Sequence, residues 1–196
     1  MSKAERTRQF IIEKTAPVFN KKGYAGTSLN DMTTATGLTK GSIYGNFDNK
    51  DEVAVEAFHY NQKAISANFA SAIAEKDSYK EKLLVYPHLY ENLFLKVIAF
   101  GGCPILNTAI EADDTHPVLK EHANVAIEKW KSGIVYLIEK GIEAGEFKAK
   151  NINPEQTALT MVASIEGAIM ITKLSGKSNY FKAIMISVKK MIEDLA

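Results

Sequence analysis

The sequence predicts an all-α fold, a three-helix amino-terminal domain joined to a larger helical domain, and three observations carry that expectation. Apolar residues recur at helical spacing in almost every segment long enough to judge, and capping residues and glycine stops punctuate the chain between those segments. The 196 residues, 46% hydrophobic and 24% charged, have the balance of an ordinary globular protein, which excludes a disordered, collagenous or coiled-coil chain. The expected division is residues 1–50 and 51–196.

In the first segment, residues 7–22, Phe10, Ile11, Val18 and Phe19 group at helical intervals, and Gly23 is a stop. Pro17 lies inside that run and is expected to bend or shorten the helix, because it removes a backbone hydrogen bond. Ser28-Leu29-Asn30-Asp31 reads as a capping box opening a short helix to about residue 35. Thr36-Gly37-Leu38 then forms a turn, and Thr39 caps a very short helix containing Lys40, Ser42, Ile43 and Tyr44. Two short helices joined by a glycine turn make a helix-turn-helix. Asn49-Lys50-Asp51-Glu52 is a further capping box, opening a helix through Val53, Ala57 and Phe58.

The body continues in helices. Residues 79–100 form one, with Pro87 placing a kink, and Gly101-Gly102 ends it. Cys103-Pro104 starts a shorter helix with Ile105, Leu106, Ala109 and Ile110, and residues 113–117 turn. Residues 118–144 form a long amphipathic helix closed by Gly145. Asn153-Pro154 opens a helix to about residue 174, and residues 179–195 form the last.

The whole-chain charge of +1 conceals an asymmetry. Residues 1–50 hold eight Lys and Arg against four Asp and Glu, a net of +4, while residues 51–196 hold sixteen against nineteen, a net of −3. Such a split points to a polyanion-binding head on a differently employed body. One cysteine excludes a disulfide framework and a multi-cysteine metal cluster, and fits a reducing compartment. The first residues are polar, and the apolar stretch 159–171 contains Glu166 and falls short of the roughly 20 residues needed to span a bilayer. A soluble cytoplasmic protein with no membrane partner is expected.

The run Gly23-Tyr24-Ala25-Gly26-Thr27-Ser28, then Thr36-Gly37-Leu38-Thr39-Lys40-Gly41-Ser42-Ile43-Tyr44, then Phe47 and Asn49-Lys50-Asp51-Glu52, resembles the DNA-binding domain of the TetR/AcrR family of transcriptional regulators. The likeness covers residues 5–55 in spacing as well as residue type. It implies a ligand-responsive regulator, a repressor in the usual mode, that binds double-stranded operator DNA of near-palindromic sequence as a homodimer.

The residues support that reading chemically. A recognition helix puts its first turn into the major groove. Lys40 can neutralise a phosphate or reach a guanine edge, Thr39 and Ser42 can hydrogen-bond phosphates or bases, and Gly41 has no side chain to hold the helix away. Tyr44 offers a hydroxyl to phosphate and a ring to a thymine methyl, Ile43 packs inward, and the segment placed in the groove runs to Asn46. Thr27 and Ser28 sit at a helix amino terminus, a site for phosphate. Lys50 is a cation in the first turn of a helix, where the dipole opposes it; a phosphate contact reverses that penalty.

The last two helices carry apolar residues around much of their circumference: Leu159, Val162, Ile165, Ile169 and Ile171 in one, Phe181, Ile184, Met185, Val188 and Ile192 in the other. The resemblance implies that this pair forms a four-helix dimer interface. It also implies an effector site in the body, where Phe94, Phe100, Trp130, Tyr136, Met161 and Met170 are candidates either to line an apolar cavity for a hydrophobic small molecule or to serve as plain core, and Glu166 either to anchor a cationic group or to pair with a lysine of a neighbouring helix. Cys103, at the start of a helix, is a further candidate there, either as a small core residue or as a thiol with a lowered pKa that senses electrophiles. The alternatives to a DNA-binding regulator are therefore a helical small-molecule-binding protein and a thiol sensor. No cofactor or metal site is expected. The four histidines are scattered without zinc spacing, and no phosphate loop or nucleophile elbow is present, so an enzyme is not expected.

Overall fold

The computed structural model describes residues 2–148, 150 and 152–196, and within them every regular element is helical. Ser2 opens α1 (Lys3–Gly26) through a capping box: its hydroxyl accepts from the Glu5 amide, and the Glu5 carboxylate accepts from the Ser2 amide at 2.7 Å. Pro17 does not shorten α1, which runs helical through it. Its fixed φ is itself helical, so only one hydrogen bond is given up. The helical backbone breaks instead at Gly23, at φ 72° and ψ 178°, a region open only to glycine.

Ser28 caps α2 (Leu29–Thr36) by the expected reciprocal pair with Asp31, and Gly37 ends it in the left-handed region. Thr39 caps α3 (Lys40–Tyr44), its hydroxyl accepting from the Ser42 amide at 3.2 Å. At the start of α4 (Lys50–Ala74), Asn49 Oδ1 accepts from the Glu52 amide as a cap should. The Glu52 carboxylate, however, reaches one residue further back, to the Asp48 amide at 2.7 Å. The remaining helices are α5 (Tyr79–Phe100), α6 (Pro104–Ala112), α7 (Pro117–Glu143), α8 (Pro154–Ser175) and α9 (Ser178–Glu193). Pro87 lies within α5, which remains one element across it.

The chain gathers into two compact units. The first comprises residues 1–65 and 100–124, so α6 and the start of α7 share a unit with the helix-turn-helix. Its core is Ile11, Ala16, Met32, Ile43, Val53 and Ala57, joined by Ala112 from α6 and Leu119 from α7. Ile43 is fully buried, as expected for the inward residue of α3, and supplies about 1.5–3 kcal/mol of burial that anchors a helix of only five residues.

The second unit comprises residues 66–99 and 125–196. Here α8 packs against α9. α8 is long and apolar enough to cross a membrane by composition alone, but it is used as a core helix, with Met161, Ile165 and Ala168 fully buried. Lys189 of α9 meets Glu91 of α5 at 2.5 Å, and the Glu146 carboxylate accepts from the Tyr79 and Lys80 amides at the start of α5. The residues expected to face a second subunit are mostly committed to this core. Val162, Ile165, Ile169, Phe181, Met185, Val188 and Ile192 are buried within the chain, and Ile184 is half-buried. The apolar side chains that α8 and α9 leave exposed are Leu159, Met170, Ile171, Leu174, Tyr180 and Ile186. Both helices carry apolar residues on two faces, and the sequence period does not distinguish the face turned to the chain's own core.

Candidate nucleic-acid interface

With Ile43 turned inward, α3 exposes Thr39, Lys40 and Gly41 at its first turn, while Ser42, Tyr44 and Asn46 are half-buried. Tyr44 packs its ring on the core of the unit. Asn46 closes the helix from its far end, Nδ2 donating to the Ser42 carbonyl at 2.9 Å. Arg8 of α1 then fixes that end. Its guanidinium donates to the Asn46 carbonyl at 2.7 Å, lies over the Phe47 ring at 4.1 Å, and pairs with Glu52 and Glu56 of α4 at 2.7 and 2.9 Å. The Asp48 amide, then the Arg8 guanidinium, hold the Glu52 carboxyl below its ordinary range.

Thr27 and Ser28 have different employments. Ser28 is exposed and caps α2. Thr27 is fully buried, and its hydroxyl donates to the Gly23 carbonyl at 2.6 Å, closing the broken end of α1. Thr27, expected with Ser28 at a phosphate site, is turned into the fold, its hydroxyl serving the turn before α2. Beside it, Lys22 pairs with Asp31 at 2.6 Å. That lysine, then the Ser28 amide and hydroxyl, lower the Asp31 carboxyl to about 2.

Lys50 lies with its ammonium 4.2 Å from the centre of the Tyr24 ring. This cation–π contact gives a first-turn cation a partner that the helix dipole denies it. The Tyr24 hydroxyl donates to Asp51, which, with burial, pushes it up to about 12. His116 stands edge-on to the same ring at 4.5 Å. Its Nδ1 accepts from the Leu119 amide at 3.2 Å, and its Nε2 lies 3.8 Å from Asp51. The base of Lys50 is thus built from α1, α4 and the turn before α7.

The eight residues proposed from sequence for an effector site are divided between the two compact units. Phe100 and Cys103 belong to the first unit, and Tyr136 and Met170 are 55% and 41% exposed, which removes them from an interior cavity. Cys103 is buried at the N-cap position just before α6 and makes no side-chain cap there. In the second unit, Met161 and Glu166 are buried in α8, and Phe94 of α5 packs on Phe181 at 4.6 Å. Trp130 of α7 joins an aromatic cluster that the sequence reading missed: Phe69, Tyr86 and Tyr90, with ring centres 5.0–6.4 Å apart. The Trp130 Nε1 is buried without a hydrogen-bond partner, and burial pushes the Tyr86 hydroxyl up to about 12. Among the described residues, no group of three or more His, Cys, Asp or Glu could hold a metal ion.

Also missed were Arg8, whose basic type was legible but whose partners lie 38 and more residues away, and Asn20, Asn107 and Glu111, which carried no local signal. Residues 11–57 match the family model of bacterial regulatory proteins of the tetR family, and residues 80–188 match the tetracyclin repressor-like C-terminal domain. The chain is similar to the solved TetR-family transcriptional regulator from Cytophaga hutchinsonii, with 47% identity, TM-score 0.94, and coverage of 100% of this chain and 97% of that one. It resembles a TetR transcriptional regulator from Chloroflexus aurantiacus J-10-FL at 33% identity and TM-score 0.93, covering 100% of both chains. It is 27% identical over 171 residues to the HTH-type transcriptional repressor DhaR of Mycobacterium sp. (strain GP1), spanning 85% of this chain and 82% of that protein. A reading helix seated on a buried isoleucine, followed by a helical body, and family matches over both parts place one conclusion beyond the fold: the chain belongs to the TetR family of ligand-responsive, DNA-binding transcriptional regulators, and is not an enzyme.

Proposed function

We propose that this protein is a cytoplasmic homodimeric repressor that sets α3 of each subunit into successive major grooves of a near-palindromic operator. The observation that carries the reading is the exposed first turn of α3, with Thr39, Lys40 and Gly41 outward over an inward Ile43. Lys40 and Thr39 meet base edges or phosphates, Ser42 and Tyr44 flank them, and Ser28 and Lys50 hold the backbone on either side. Residues 1–50 supply this chemistry. The repressor sign follows DhaR, a repressor by name.

Dimerisation falls to the exposed apolar face of α8 and α9, centred on Leu159, Met170, Leu174 and Ile186, in place of the buried set. The effector site is assigned to the second unit around Trp130. Its aromatic neighbours favour a hydrophobic, aromatic molecule, and its unpartnered Nε1 favours one bearing a hydrogen-bond acceptor.

Binding to DNA from beside the protein's own gene, measured by fluorescence anisotropy across a salt series, tests the reading. Lys50→Ala removes one phosphate contact per subunit, so the slope of log affinity on log salt should fall by about 2 for a dimer, and affinity should drop for operator and scrambled DNA alike. An unchanged slope refutes the role of Lys50. Equal affinity of the unmodified protein for operator and scrambled DNA refutes the operator reading.

A further inference from the structure

We propose that Asn107 and Glu111 of α6 are positioning residues for operator recognition: together they repair the break in α1 at Gly23 and so fix the start of α2. This rests on the DNA-binding reading above. Where Gly23 leaves the helical region, the backbone ladder of α1 is interrupted. A helix interruption strands acceptors on one side and donors on the other, and each such group needs a partner.

α6 provides both kinds. On the near side, Asn107 Nδ2 donates to the Asn20 carbonyl at 3.0 Å and contacts Asn20 Oδ1 at 3.2 Å and the Gly101 carbonyl at 2.9 Å. Asn20 in turn donates to the carbonyls of Phe100 and Gly102 at 2.9 and 3.3 Å. On the far side, one helical turn along α6, the two oxygens of Glu111 accept from the Tyr24 and Ala25 amides at 2.6 and 2.7 Å. A carboxylate on two free amides at the start of a helical turn is the charge-assisted arrangement that such a terminus favours.

What that turn carries makes the clamp functional. Tyr24 is the platform for Lys50 and the partner of Asp51. The Thr27 amide donates to the Tyr24 carbonyl at 3.3 Å, and Ser28, the cap of α2, follows immediately. Displacing residues 24–26 therefore moves the first turn of α2 and the seat of Lys50 together. α6 is thereby part of the reading apparatus, although it lies outside the helix-turn-helix in sequence.

The test uses the full-length protein with Glu111→Ala, Glu111→Gln and Asn107→Ala, with thermal unfolding to establish that each is folded. Amide exchange at Tyr24 and Ala25 should quicken by about tenfold or more in Glu111→Ala, since two charge-assisted bonds are lost. Affinity for the operator should weaken about tenfold, while affinity for a scrambled duplex of the same length stays within about twofold, because orientation and not charge on the DNA face has changed. Glu111→Gln, which keeps one acceptor, should recover part of both effects. Asn107→Ala should weaken operator binding in the same direction and keeps the test open if Glu111→Ala does not fold. Faster exchange with unchanged operator affinity would make the clamp structural only and overturn the proposal. Unchanged exchange, or equal loss on operator and scrambled DNA, would overturn it as well. Failure of the unmodified protein to distinguish operator from scrambled duplex would instead refute the DNA reading, and this inference with it.

Discussion

Replacing Gly23 with alanine isolates the break in α1. Two costs arise from the geometry. At φ 72° and ψ 178° a residue with a Cβ is strained by about 1–3 kcal/mol. The added methyl would also fall on the Glu111 side chain, 2.8 Å from its carboxyl carbon and 2.9 Å from one of its oxygens. To clear it, Glu111 has to leave the Tyr24 and Ala25 amides. Hydrogen bonds to a charged group contribute about 1.5–3 kcal/mol when fully shielded. The Tyr24 bond is only part-buried and the Ala25 bond is exposed, so together they are worth about 2 kcal/mol. The expected loss is about 3–5 kcal/mol, read as a shift in urea midpoint at constant m-value. A double-mutant cycle separates the two parts. In a Glu111→Ala background the methyl has space, and Gly23→Ala should then cost only the backbone share of about 1–3 kcal/mol. Costs that add to within about 0.5 kcal/mol would refute the steric link between the two residues.

Three other expectations follow from particular contacts. The Asp31 carboxyl sits at about 2 in the folded protein because Lys22 and Ser28 donate to it. Its unfolded value is near 3.9, so the stability it supplies is present above about pH 4 and drains away as pH falls toward 2. An Asp31→Asn protein should show a flatter fall in melting temperature over that window, and an identical fall would discount the pair. Leu159→Glu and Leu174→Glu, at positions 49% and 82% exposed, should give folded monomers by light scattering; persistent dimers would place the interface elsewhere. In α7, a methyl at Gly141 would overlap the buried Phe147 ring and cost about 1–3 kcal/mol, whereas one at Gly133 meets nothing nearer than the Tyr86 hydroxyl at 3.8 Å and should stabilise the helix by about 0.5–1 kcal/mol. Equal effects at the two sites in thermal unfolding would contradict the packing described for Phe147.

Sequence reasoning succeeded where a structural rule is local. Ser28 with Asp31, and Thr39 with the Ser42 amide, satisfy their donors within three residues, so residue type and spacing contain the whole interaction. The inward turn of Ile43 followed from the same spacing. It failed where a choice between equivalent faces or a distant partner decides the outcome. The two apolar stripes of α8 and α9 are indistinguishable by period, and Ile165 and Leu159 differ only in which stripe meets the chain's own core. Glu111 acts on Tyr24 across 87 residues, a separation at which no local pattern informs. Pro17 does not mark the break, because its fixed φ is itself helical, whereas the conformation at Gly23 is open only to glycine.

The charge asymmetry takes on a different meaning once the compact units are known. Residues 1–50 are net +4, but the unit that contains them, residues 1–65 and 100–124, holds ten Lys and Arg against eleven Asp and Glu, a net of −1. Four of the seven added acids shape the reading head: Glu52 and Glu56 hold Arg8, Asp51 holds Tyr24, and Glu111 holds the turn before α2. Several of the basic residues are likewise engaged within the fold, Arg8 beneath the end of α3 and Lys22 on Asp31. A unit so nearly neutral gains little from long-range attraction to DNA, since charges beyond about 8–10 Å are screened at physiological salt. In the reading proposed above, affinity comes from a few cations placed at contact distance, Lys40 on α3 and Lys50 on its tyrosine platform, so that binding depends on orientation more than on net charge. That dependence is what gives a clamp on the turn between α1 and α2 its leverage over operator recognition.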